Sequence, residues 1–494
     1  MVAHLLWEQG VAGSSPVTST KDKALKCFCF RAFAVFKMAF ILLAEGSILV
    51  FIRDKHYTAH RCDVLQAKGV SAMVRENDCF VREGLFLDQV SIKEWDKFSL
   101  AWQARVPGFP SSFPQSGNMA YYLEENGKTC FPLILKDKRG QGLAGGLFSL
   151  YPAMKVFRIA KCNQGPLLDY LDSELVSAFL ESVTSFLKQK GVVHLTITPN
   201  IECQEKLDEV NSNLAQAGFR HDGFQNTYIN GVGRWFFVKD FRTIKNPDQL
   251  WSSYSSKSRN HINKAKRYSL HCEELAGADL KVFADLMEHT AERRDFSSRL
   301  TEYYQEFLRC YDRGNARAMI VMAYINPDES LQNLQNERVD LESQCRQLER
   351  DIANGAGKRS VGALKSRKIE LKACDENIDM ISTLLPKGPK IYLSGATFVT
   401  YNGEMTYLFS GSYQEYFGLC AAQLIQHYAQ TRGLEYGISR YNYYGTMGKH
   451  SGQQDEGILD FKRGFGGRLL EQPGNYSLAI RKPWGQVYQR FFKG

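Results

Sequence analysis

The feature that most restricts how this chain can fold lies between Asn326 and Pro386, where the composition shifts abruptly to Gln, Glu, Lys, Arg and Leu. Apolar residues at Leu334, Leu341, Cys345, Leu348 and Ile352, and again at Leu371, Cys374, Ile378, Ile381 and Leu385, keep steps of three, four or seven. Such spacing collects them on one face of an α-helix, and no strand reproduces it. Arg338 takes one seam position, and the breaker NGAGKRS at Asn354–Ser360 separates the two runs. The spacing therefore predicts two helices folded back on each other, an antiparallel coiled-coil arm over 326–387. An arm of this kind needs a folded base, which the flanking sequence must supply.

At 494 residues the chain exceeds one ordinary domain, and 44% hydrophobic content is enough for a substantial core. A formal charge of +9 suits a phosphate-bearing partner such as tRNA, a nucleotide sugar or an anionic membrane surface, without choosing among them. Of twelve cysteines only Cys27 and Cys29 are close in sequence, and no CxxC pair or Cys/His cluster stands at zinc spacing. Free thiols in a reducing cytoplasm and no metal are the expectation. His450, beside Lys449, is the one histidine to watch, against the plainer reading of a solvated loop histidine.

Residues 1–80 read as foreign to the rest. VAGSSPVTST at Val11–Thr20 is what a tRNA gene's T-arm gives when read as codons, which points to a true start at Met38, Met73 or later. The run Phe33–Ile52 is the membrane candidate, but Lys37 and Glu45 interrupt it. Each is unfavourable at a bilayer centre by about 2.5–3.5 kcal/mol, so an untranslated or tail-like segment is expected instead.

From Leu87 the pattern becomes globular. Trp95, Phe98 and Trp102 have helical spacing behind Ser91 as a cap. Strands are expected near 128–136 and 142–150. GQGLAGG at Gly140–Gly146 reads either as a pyrophosphate loop of the coenzyme A type or as a hairpin with small residues for close packing. A helix over 173–190 and a strand over 192–198 then complete a βαβ-like unit. Ser255–Arg267 is a basic helix whose Lys257, Arg259, Lys264 and Lys266 form either a solvated face or contacts to nucleic-acid phosphates. Strands over 390–399 and 405–412 and a helix over 419–430 lead to the stretch Tyr441–Leu469. There an aromatic strand, a Gly-rich loop and a helix-like turn from Glu456 deliver Phe461, Lys462 and Arg463 into Gly464, Gly466 and Gly467. Uncovered glycine amides can hold an anion or a developing oxyanion; the plainer reading is a strand and Gly-driven turns.

GILDFKRGFGG at Gly457–Gly467 resembles the C-terminal signature of the FemABX family of non-ribosomal peptidyltransferases. CNQGPLLDY at Cys162–Tyr170, SKSRNHINKAKR at Ser256–Arg267 and TAERRDFSSRLTEYY at Thr290–Tyr304 resemble further family motifs. The departures are Asn442 for the usual Asp, Thr446 for Ile, Gln164 for Arg, and no Lys where one is expected after Gln115 and Asn118.

The resemblance implies a mixed α/β fold of two acetyltransferase-like (GNAT-like) domains. These are 85–235, and 236–325 continued by 388–473, with the arm at 326–387 and a segment 474–494 packing back on the first domain. It implies an aminoacyltransferase that carries an amino acid from aminoacyl-tRNA to the stem-peptide amine of UDP-MurNAc-peptide or its lipid-linked form, in cell-wall interpeptide bridge formation. Aminoacyl-tRNA is then a co-substrate, with no cofactor and no metal. The implied location is cytoplasmic, with peripheral contact at the inner membrane face allowed.

By the same resemblance Lys462 neutralises the oxyanion or the donor phosphate, with Phe461 beside it in the substrate-binding set. Asp169 orients or deprotonates the amine, or merely caps a helix. Arg299 and Tyr303, four apart on a helix face, anchor the acceptor diphosphate or form a structural pair. Tyr413 and Tyr407 line the acceptor channel or are core aromatics. Lys257, Arg259, Lys264 and Lys266 meet tRNA, as does the arm, unless it serves dimerisation. Lys462 and Arg299 are thus expected at opposite ends of one cleft. Two rivals stand beside this reading, a coenzyme A-dependent N-acyltransferase and a non-catalytic tRNA- or envelope-binding module.

Overall fold

Helix starts are written locally. Ser91 accepts from Glu94 N at 3.2 Å and opens Ile92–Arg105; Ser255 accepts from Ser258 N at 3.1 Å and opens Ser256–Arg267. A short polar side chain in extended backbone satisfies an otherwise orphan amide in each case. The computed structural model describes residues 79–82, 84–202, 204–223, 234–294, 297–355, 357–446 and 453–492. The bulk of the 1–80 extension, the apolar run 33–52 and His450 lie outside them. Among the described residues no helix is long and apolar enough to cross a membrane.

The first half contributes β1 (Cys79–Arg82), β2 (Leu85–Gln89), β3 (Thr129–Asp137), β4 (Gly142–Ala153), β5 (Phe157–Cys162), β6 (Val192–Ile197) and β7 (Arg220–His221). The second contributes β8 (Trp235–Asp240), β9 (His271–Glu274), β10 (Arg317–Ile325), β11 (Ile391–Tyr401), β12 (Glu404–Ser412), β13 (Arg440–Thr446) and β14 (Arg468–Glu471). The chain then returns as β15 (Tyr476–Ala479), which enters the first sheet between β6 and β7. That sheet runs β1-β2-β3-β4-β5-β6-β15-β7, and the second runs β14-β8-β13-β12-β11-β10-β9. In each, one parallel pair, β5 with β6 and β12 with β13, sits in an otherwise antiparallel sheet.

The Gly140–Gly146 run settles into a turn and the start of β4, and the pyrophosphate-loop reading is corrected. Gly142, Ala144, Gly145 and Gly146 pair with Lys136, Leu135, Ile134 and Leu133, and Gly145 N donates to Leu167 O at 2.9 Å. Their backbone is thus committed to the ladder and its neighbour. Gly145 is required for packing: a Cβ there would lie 2.8 Å from the rings of both Phe98 and Trp95.

The two halves are not independent. One apolar cluster joins Trp95, Trp102 and Phe113 of the first to Phe283, Tyr304 and Phe307 of the second. Polar groups buried in the seam are satisfied across it. Asn118 donates to Cys310 O at 3.0 Å and accepts from Ala316 N at 3.0 Å, and Asp96 accepts from Asn315 Nδ2 at 2.5 Å.

The arm is a helical hairpin of Pro327–Ala353 and Lys358–Ser382. Cys374 Sγ contacts Leu334 O, Arg338 reaches Asp375 at 2.7 Å and Lys368 reaches Glu349 at 2.8 Å, so the helices run antiparallel. Arg338 tolerates its seam position because its guanidinium leaves the seam for the carboxylates of Asp375 and Glu342. Leu334, Leu341, Cys374 and Ile381 merge into the apolar cluster of the second half, which roots the arm there.

Candidate active site

β12 and β13 pair over only three positions, Glu404 with Arg440, Met405 with Tyr441 and Thr406 with Asn442. Beyond Thr406 they separate, and a cavity of about 850 Å³ opens where a sheet would otherwise continue. Leu408 and Ser410 form one wall, Tyr443 and Tyr444 the other. The start of the basic helix, the Thr290–Arg294 turn, the Tyr413–Phe417 segment and the Gly457–Gly464 stretch complete it. Lys257, Arg293, Arg294, Lys462 and Arg463 line it, and Asp460 is the only carboxylate among the described lining residues. A wall of this charge favours an anionic ligand.

Lys462 lies in the last turn of the helix Gln453–Arg463 and is 3% exposed. Its Nζ donates to Gly445 O at 2.7 Å and to Tyr444 O at 3.4 Å, which fixes the ammonium against the last turn of β13. Tyr444 presents that carbonyl from a left-handed backbone, φ +59°, with Asn442 Oδ1 accepting from its amide at 2.8 Å. The following turn is pinned by the fully buried Phe465, against which Phe461 packs at 5.4 Å. Gly466 has φ +78°, and a Cβ there would lie 2.9 Å from Ser253 O, so no other residue fits the turn unstrained.

Tyr407 and Tyr413 both line the cavity. Tyr407 stacks on Phe398 at 5.5 Å, and Tyr413 lies beside His289 at 5.0 Å. Burial pushes both phenols above their usual range, which keeps them as neutral donors. Lys257 stands exposed in the wall. Arg259 turns away to donate to Tyr254 O at 2.5 Å, while Lys264 and Lys266 lie over the rings of Tyr268 and Trp251. These three are not among the lining residues.

The shared helix face expected of Arg299 and Tyr303 is corrected. Leu280–Arg294 ends before the motif does, and Thr301–Tyr311 starts afresh, leaving Arg299 in the connecting segment. The guanidinium reaches Tyr303 by stacking on its ring at 4.7 Å, and that ring packs against Tyr122 of the first half and Phe409 of β12. Lys462 lines the cavity; Arg299 and Tyr303 do not. Asp169 is also outside. Its Oδ1 accepts from Leu171 N at 3.0 Å to close a turn, and the helix after it is capped by Asp172.

Arg293 and Arg294 are the lining cations that sequence reasoning passed over. Their signal lay in the same Thr-x-x-Arg motif, whose first arginine, rather than its second, borders the cavity. Arg293 lies over the exposed ring of Phe417 at 5.4 Å, and burial followed by the charge of Arg294 lowers its pKa. For a metal, Glu125, Glu306 and Cys310 converge, but Arg309 binds both carboxylates and Arg313 also binds Glu125, so the charge is already balanced.

Behind the basic helix His427 packs on Trp251 and Tyr254. Burial, then the charges of Lys266 and Lys239, push its pKa down to about 4. The unfolded chain therefore takes up a proton first as pH falls. Stability contributed by the neutral ring is intact above pH about 6.5 and is lost progressively toward pH about 4. His427→Phe is expected to flatten that part of the acid limb in urea midpoints measured against pH; an unchanged limb would remove this assignment.

The two mixed sheets, the hairpin arm and the cation-lined wedge define a chain of mixed α/β fold. It belongs to the FemAB family, which matches residues 91–493. It is 26% identical over 374 residues to the aminoacyltransferase FemA of Staphylococcus epidermidis, covering 73% of this chain and 89% of that one. Against the aminoacyltransferase FemA of Staphylococcus aureus strain MRSA252 it is 26% identical over 369 residues, covering 72% and 87%. The crystal structure of FemX superposes with a TM-score of 0.66 at 20% identity, over 83% of this chain and 100% of that one, which shows the common fold.

Proposed function

We propose that this chain is an aminoacyltransferase that moves an amino acid from aminoacyl-tRNA to the stem-peptide amine of a peptidoglycan precursor. The observation that carries the reading is the wedge between β12 and β13, lined among the described residues by five Lys and Arg residues and one carboxylate, in a chain that is similar over most of its length to aminoacyltransferases. The amine nitrogen attacks the ester carbonyl carbon, a C–N bond forms, and the carbonyl electrons collect on oxygen. Collapse breaks the bond to the ribose oxygen, which leaves with the proton shed by the amine. The ester is already activated, so alignment and charge stabilisation are what the protein adds.

Lys462, held rigidly by two carbonyl oxygens, places a positive charge at one wall for that oxyanion or the adjoining phosphate. Lys257, Arg293 and Arg294 offer donors suited to phosphate oxygens. Arg299, stacked on Tyr303 outside the cavity lining, is the proposed hold on the acceptor diphosphate. The test is to incubate the full chain with a mixture of charged tRNAs and each precursor, soluble or lipid-linked, and to read the product by mass. A gain of one amino-acid residue that requires both reactants is expected. No gain with any charged tRNA, alongside transfer from acetyl-CoA, would replace this reading with the coenzyme A alternative.

A further inference from the structure

We infer that Lys239 is a positioning residue for Lys462, holding the Gly464–Gly467 turn and the β13 wall of the cavity in one geometry from beneath. This deepens the acyl-transfer reading and rests on it for the kinetic consequence, though not for the placement itself.

Lys239 lies in β8 and is 4% exposed, an unusual place for an ammonium without a carboxylate. Its Nζ meets three acceptors: Ser253 Oγ at 2.6 Å, Phe465 O at 2.7 Å and Gln430 Oε1 at 3.1 Å. Each is committed to accepting. Ser253 gives its own hydrogen to Leu250 O at 2.5 Å, and the Gln430 amide nitrogen donates to Tyr443 OH at 2.9 Å. Three acceptors match the three hydrogens of an ammonium and exceed those of an amine. The ring of Tyr254, 4.6 Å away, adds a face for the same charge. Burial alone pushes the Lys239 pKa down to about 7, the cost these contacts oppose.

The three acceptors belong to three different walls. Phe465 O lies in the glycine turn directly after Lys462, and the turn closes on the Lys462 helix through Phe465 N to Lys462 O at 3.1 Å. Ser253 lies two residues before Ser255, whose amide donates to Gly464 O at 2.9 Å and which caps the basic helix. Gln430 lies on the Ala421–Glu435 helix and passes the connection to Tyr443, which lines the cavity. One buried cation thereby ties the turn behind Lys462, the cap of the basic helix and the aromatic wall together. Replacing it releases the turn without touching any lining residue.

The test compares the wild-type chain with Lys239→Met and the charge-keeping Lys239→Arg, each as the full chain. The first readout is independent of activity: limited reductive methylation with formaldehyde, with modification at Lys462 read by peptide mass. Lys462 is expected to be protected in the wild type, labelled at least five-fold faster in Lys239→Met and protected again in Lys239→Arg. The second is steady-state transfer, where Lys239→Met is expected to lower kcat at least ten-fold with the acceptor KM within about two-fold, and Lys239→Arg to restore part of kcat. Should Lys239→Met fail to fold, Ser253→Ala, which removes one acceptor, carries the same test with an expected two-fold rise in labelling. Unchanged Lys462 labelling in a folded Lys239→Met or Ser253→Ala overturns the inference. Labelling that rises while the wild type shows no transfer leaves the placement standing and removes the acyl-transfer reading instead.

Discussion

Lys462→Met is expected to lower aminoacyl transfer by about 10²–10³-fold, the range found when one preorganised donor to an oxyanion is removed. Methionine keeps most of the side-chain volume, so packing against the Tyr444–Gly445 backbone survives while the charge and its hydrogens are lost. A small change in thermal midpoint together with a large fall in kcat is the signature sought. A parallel fall in both would mean that Lys462 acts chiefly as a brace for β13. Transfer within about three-fold of the wild type would remove Lys462 from the chemistry. Steady-state assays with circular dichroism melts on the same preparation separate the three outcomes.

The second large effect is expected at a residue outside the cavity lining. Asn118→Leu leaves Cys310 O and Ala316 N without their partner in the seam between the halves. An orphaned buried polar group costs about 1–3 kcal/mol, so a loss of about 2–5 kcal/mol is expected, measured by urea unfolding. Gly314 shows how closely the seam is fitted, since a Cβ there would lie 2.4 Å from Asn118 Oδ1. Asn118 takes part in the joint between the halves, so its loss is expected to split one unfolding transition into two. A shift below about 0.5 kcal/mol with one transition would show that the apolar cluster alone couples the halves.

What could be read from the chain beforehand follows from the range of the forces involved. The hairpin arm was legible because Leu334 through Leu385 carry their periodicity locally, and the caps at Ser91 and Ser255 because an N-cap needs only the next three residues. The aromatic strand before Lys462 was legible as well. Arg299 and Tyr303 were misplaced on one helix because the spacing of four holds in any helix, and nothing in SSRL announced that a new helix starts at Thr301. The separation of β12 from β13, which makes the cavity, depends on strands that meet across more than thirty residues of chain. Lys239 escaped notice for a related reason. In WFFVKDF it reads as a lysine closing an edge strand, and only the second sheet's full order places it under the glycine turn. Its apolar neighbours Phe236, Phe237 and Val238 were the available signal.

The return of Tyr476–Ala479 to the first sheet has a consequence for synthesis on the ribosome. β15 lies between β6 and β7, and among the described residues β7 pairs with no other strand. While the second half and the arm are being translated, β6 therefore waits with an unpaired edge, a state open to wrong partners. The first sheet can therefore be completed only after the second half and the arm have been translated, although most of its own strands emerge before them.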